Sequence, residues 1–120
     1  MKYLLTIHMN PAAFGVLSED ERNAVMAGHE AFIAELRETG EMAGTIALAE
    51  PSNSKTVRVR EGAQTVTDGP YIEAKEWLAG FYVVDCDTPE RAAELAARIP
   101  DARFSAIEVR PVMFDGGMEM

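Results

Sequence analysis

The spacing of apolar residues predicts an α+β fold: an antiparallel sheet with two helices on one face, and a β-hairpin set into the pattern. Three observations carry this. Alternating runs open and close the chain at residues 2–9 and 107–113, and a third and most apolar run spans Leu78 to Cys86. Two stretches between them carry helix start and stop signals around apolar residues three and four apart. A shorter alternating pair, joined by Glu61-Gly62-Ala63, reads as the hairpin.

In the first strand Tyr3, Leu5, Ile7 and Met9 alternate with Leu4, Thr6 and His8, and Asn10-Pro11 breaks it. Ser18 and Glu21 form a capping box, and the acids between them suit a helix N-terminus. The spacing predicts a helix to about Thr39, ended by Gly40, with an inward stripe of Val25, His29, Phe32, Ile33 and Leu36. Glu41 to Leu48 alternates weakly and leads to the turn cluster Glu50-Pro51-Ser52-Asn53-Ser54. The hairpin strands are Thr56–Arg60 and Gln64–Thr67. After the turn Asp68-Gly69-Pro70 and the charged group Glu73, Lys75 and Glu76 comes the Leu78–Cys86 strand, central by its composition. Thr88-Pro89 opens a second helix with Ala92, Leu95, Ala96 and Ile99 inward, and Pro100 closes it. On the last strand Ile107, Val109, Pro111 and Met113 oppose Glu108, Arg110 and Val112. Residues 114–120 form a polar, Gly-rich tail expected to fray.

Without the hairpin the order is β-α-β-β-α-β, the ferredoxin-like split βαβ arrangement. Both helices then cover one face of the sheet and leave the other bare. A half-apolar bare face calls for a partner, and a two-fold homodimer is the simplest one.

A chain of 120 residues is expected to form a single domain, 1–120, with one core. The net charge of −9 argues against nucleic-acid binding, which needs a basic face. No stretch is long and apolar enough to span a membrane, Met1–His8 is too short for a signal peptide, and Cys86 has no partner for an internal disulfide. A cytoplasmic location is the expectation. No phosphate loop, nucleotide fingerprint or His-x-x-x-His metal spacing occurs, so neither cofactor nor metal is expected.

The run Asp68-Gly69-Pro70-Tyr71, followed by Glu73-Ala74-Lys75-Glu76 and Leu78-Ala79-Gly80-Phe81-Tyr82, resembles the YCII-related family, in particular its DGPF-type branch, with Tyr71 in place of Phe. Met1–Leu5, the helix around His29 and Ile107-Glu108-Val109-Arg110-Pro111-Val112 are similar as well, so the likeness covers nearly the whole chain. The resemblance implies a dimeric α+β barrel and a His-Asp pair in a cleft. It also implies a functional link to a sigma factor.

His29 matches the family histidine, and Asp68, which begins the signature, is the expected acidic partner. Such a pair suits acid–base chemistry on a small molecule, because imidazole titrates near neutrality and a carboxylate orients it. Without a carboxylate, His29 is a buried structural histidine whose ring still needs a partner. His8, Tyr71, Lys75 and Arg110 are the expected ligand-binding side chains: His8 and Arg110 on the open face, Tyr71 and Lys75 after the signature turn. The competing reading of Asp68-Gly69-Pro70 is a self-capped turn. The competing reading of the whole site is a non-catalytic ligand sensor or accessory protein.

Overall fold

In the computed structural model, which describes residues 1–117, a four-stranded antiparallel sheet is ordered β2-β5-β1-β6. Its strands are β1 (Lys2–Met9), β2 (Met42–Ala47), β5 (Trp77–Asp85) and β6 (Ile107–Pro111). The helices are α1 (Pro11–Gly15), α2 (Glu19–Thr39) and α3 (Pro89–Ala96). The hairpin, β3 (Lys55–Arg60) with β4 (Ala63–Asp68), forms a separate two-stranded sheet. This is the expected α+β order, with the first and the most apolar strands at the centre.

Local chemistry sets the helix ends. Ser18 Oγ accepts the Glu21 N–H at 3.1 Å while the Glu21 carboxylate accepts the Ser18 N–H at 2.9 Å, closing the capping box. Gly40 ends α2 at φ 79°, a left-handed conformation that glycine takes without a Cβ clash. Thr88 caps α3 by accepting the Arg91 N–H at 3.0 Å. That helix stops at Ala96, short of the expected Pro100, because Arg98 and Ile99 donate to Leu95 and Ala96 in tighter three-residue turns. Asn10-Pro11 does more than end β1: Asn10 Oδ1 accepts the Ala13 N–H and starts the five-residue α1.

Tyr3, Leu5 and Ile7 face the helices together with Tyr82 and Val84, and meet Phe32, Leu36, Leu95 and Ile99 in one core. Leu5, Leu36, Leu95 and Ile99 are fully buried, each contributing about 1.5–3 kcal/mol relative to exposure. The expected partition of β6 holds: Ile107, Val109 and Pro111 pair with Ile7, Leu5 and Tyr3 on the helix side, and Glu108 and Arg110 lie opposite Thr6 and Leu4 on the open face. The strand ends at Pro111, and Met113, expected inward, is exposed. Of the tail, Asp115 pairs with Lys2 at 3.1 Å, and residues 118–120 lie outside the described residues.

Two bulges redirect side chains. One between Met42 and Gly44 turns Met42 into the core, which is why the alternation in this segment reads weakly. The other, at Ala79, pairs Ile7 with Gly80 but His8 with Leu78, so Leu78 joins His8 on the open face.

Arg91 ties α3 to the turn after α2 by donating from Nε and Nη2 to the two Glu41 carboxylate oxygens, both at 2.9 Å. These hydrogen bonds, against the opposing effect of burial, hold the Glu41 carboxyl below its ordinary value. The resulting stability is complete above the unfolded carboxylate value of about 4.3 and is lost as pH falls through the lower folded one. Urea midpoints should therefore fall less steeply below that pH in Glu41→Gln than in the parent chain.

Candidate functional site

Two places are candidates for a site. The first lies between α2, β5 and the turn Pro100–Arg103. His29 points from α2 toward the sheet, where its Nδ1 is 2.7 Å from the Tyr82 hydroxyl and its Nε2 is 2.6 Å from Asp101 Oδ1. The His29 and Asp101 side chains are 21% and 10% exposed, so solvent reaches the pair only in part. With Asp101 ionised, Nε2 donates to it. Nδ1 then accepts the Tyr82 O–H in the neutral ring, or donates to the phenol oxygen in the imidazolium. Either way both nitrogens are engaged, and the group forms a continuous carboxylate–imidazole–phenol chain.

Packing fixes this geometry. The Tyr82 ring stacks beside the imidazole at an interplanar angle of 8° and meets Phe32 edge-on, with centroids 5.0 Å apart. Gly28 lets the Pro100 turn approach α2: a Cβ there would lie 2.6 Å from Pro100 Cγ. Burial, reinforced by the nearby Asp101 carboxylate and partly offset by a hydrogen bond with Thr45, pushes the Tyr82 phenol up to about 12. A raised folded value means that its contribution to stability is present below the unfolded value of about 10 and is lost as pH rises from there toward 12. Alkaline unfolding followed by circular dichroism should lose this component in Tyr82→Phe.

The second place is a cleft of about 540 Å³ on the open face, at the end of β1. His8 and Leu78, brought side by side by the Ala79 bulge, form its floor. Pro51, Pro70, Ile72 and Trp77 supply apolar walls, while Glu50 and Glu76 supply carboxylates. Apolar walls with a few convergent polar groups are the ordinary make-up of a small-molecule site.

The signature turn serves the neck of the hairpin. Asp68 is held by Lys55 at 2.5 Å, with its side chain 86% exposed. The Gly69 N–H donates to the Ser54 carbonyl at 2.8 Å, and Thr56 Oγ1 donates to the Gly69 carbonyl at 2.9 Å. Gly69 sits at φ 97°, where a side chain would be strained. Arg58 lies over the Tyr71 ring, 5.5 Å from its centroid.

The structure therefore gives His29 an acidic partner other than the expected one. Asp101 fills the position foreseen for Asp68, because Asp68 is bound to Lys55 at the hairpin neck. Of the expected ligand-binding residues, His8 lines the cleft, whereas Tyr71 is exposed against Arg58. Lys75 faces a neighbouring depression with Asn10 and Pro11, and Arg110 lies opposite Leu4, away from the cleft lining. Sequence reasoning missed Asp101, Tyr82, Glu50 and Trp77. For Asp101 the only signal is an acid following the helix-stopping proline. Among the described residues no group of three or more His, Cys, Asp or Glu gathers as a metal site, and no helix is long and apolar enough to cross a membrane.

The YCII-related domain matches residues 1–114. The chain belongs to the YCII-related family. An uncharacterized protein of Rhizobium meliloti (strain 1021) is 30% identical over 114 residues, covering 93% of this chain and 92% of its own length. The YCII-related match takes in both the His29 node and the His8 cleft.

Proposed function

We propose that this YCII-related protein binds a small molecule in the His8 cleft. The observation that carries the reading is the lining: an apolar bowl that holds the carboxylates of Glu50 and Glu76 beside the ring of His8. Such a bowl favours an apolar or aromatic body with a cationic or hydrogen-donating head over an anion. Benzylamine and benzoate form a matched pair of probes for thermal unfolding. Benzylamine at millimolar concentration should raise Tm, and Glu50→Gln with Glu76→Gln should remove the rise. Equal or greater stabilisation by benzoate overturns the reading.

A second reading, cofactor-independent acid–base chemistry, is favoured by the Asp101–His29–Tyr82 chain, in which a carboxylate orients an imidazole against a proton-bearing hydroxyl. Because the cleft lies on the other face of the sheet, this chemistry takes its substrate beside α2 and the Pro100 turn, and His29→Ala should abolish that turnover while leaving binding in the His8 cleft intact. Binding without turnover in the parent chain favours the sensor or accessory role. The Asp68-Gly69-Pro70-Tyr71 run supports placement in the DGPF-type branch. The open face, with Ile46, Leu48 and Leu78 each more than 40% exposed, supports a two-fold homodimer.

A further inference from the structure

The β3–β4 hairpin stands away from the body as an arm with two unlike faces. Val57 pairs with Val66, and Val59 lies two residues on, so the three valines share one face; they are 58%, 48% and 59% exposed. Thr56, Arg58, Arg60, Thr65 and Thr67 make up the other face. A two-stranded hairpin in water is marginal without a covering layer, and the described residues supply none over the valines.

Size and charge indicate what covers them. The radius of gyration is 16.4 Å, against about 13.6 Å for a compact 120-residue domain. The accessible surface is 8265 Å², about 1,900 Å² more than a folded monomer of this mass exposes. That excess per chain is of the order buried by each subunit of an obligate homodimer, roughly 1,000–2,500 Å². Residues 55–68 carry Lys55, Arg58 and Arg60 against Glu61 and Asp68, so the arm is +1 and the rest of the chain −10. A cationic arm complements the acidic body of another copy. The open face also holds Thr6, 8% exposed, whose hydroxyl lacks a hydrogen-bond partner.

We propose that the arm is a clasp, its Val57, Val59 and Val66 face packing on the body of a second copy of this chain. The clasp rests on the homodimer reading above and adds the element that holds it. Because the root of the arm, Asn53, Ser54 and Pro70, lines the His8 cleft, the clasped partner lies beside that cleft and its Trp77, the sole tryptophan of the chain.

The test is sedimentation equilibrium of the full chain, with Val57→Lys/Val66→Lys as the probe and Thr65→Lys, on the opposite face of the arm, as the control. The parent chain and Thr65→Lys should be dimers, and the double variant should dissociate with its Kd raised by about 100-fold or more at unchanged far-ultraviolet circular dichroism. Dilution of the parent chain should red-shift Trp77 emission over the range in which sedimentation shows dissociation, a readout that needs no variant. A double variant that dimerises like the parent overturns the clasp and leaves the face-to-face dimer standing. A monomeric parent overturns both, and Trp77 emission that ignores dissociation also overturns the clasp.

Discussion

Asp101→Ala is expected to destabilise the protein by about 2–3 kcal/mol, the range for losing a charge-assisted hydrogen bond and leaving its partner largely closed off from water. The carboxylate lies 2.6 Å from His29 Nε2 with its side chain only 10% exposed, so neither solvent nor another side chain takes its place at once. In a domain of this size Tm falls on the order of 10 °C. Replacing both partners, as His29→Leu with Asp101→Leu, should cost less than the sum of the two single changes, because neither member of the pair is left without the other and the Tyr82 hydroxyl loses its imidazole partner in both His29 variants alike. Urea unfolding of the four proteins in this cycle measures the coupling. A coupling near zero would mean that the contact contributes nothing to the fold.

Gly28→Val is expected to cost about 2 kcal/mol through overpacking. Its sign is informative, because Gly28→Ala in an open helix would stabilise by roughly 0.5–1 kcal/mol. Here a Cβ would lie 2.6 Å from Pro100 Cγ, so the turn that carries Asp101 must move outward. Both substitutions should therefore destabilise, and the coupling between His29 and Asp101 should shrink in the Gly28→Val background. Urea midpoints for Gly28→Ala above that of the parent chain would show that the turn yields without strain.

What the sequence disclosed was local. Ser18 with Glu21, Gly40, and Thr88-Pro89 announced their helix ends because caps are made within three or four residues. The inward stripes of α2 and β6 followed from period alone. The Ala79 bulge was illegible, since an extra residue in one strand is defined only by the partner it fails to match. That bulge sets Leu78 beside His8, so the cleft was hidden with it. The acid that serves His29 was hidden for a related reason: 72 residues separate the two, and only the seam at Gly28 and Pro100 brings them together. Asp68 looked the better partner because it begins the signature, yet a lysine thirteen residues away had a shorter path to it.

The position of β1 between β5 and β6 also bears on how the chain is made. Of the four strands of this sheet, the one made first is the one that needs both of those made last. Met1 to Met9 stay without sheet partners until β5 emerges, and one edge waits for Ile107–Pro111. At about 5–20 residues per second that interval lasts several seconds, long on the microsecond scale of hairpin formation. The arm and α2, built from neighbouring residues, have no such delay. A ribosome-bound chain stopped before residue 107 should therefore hold a formed helix and hairpin beside an apolar first strand still open along one edge, the segment most exposed to chaperones and to self-association.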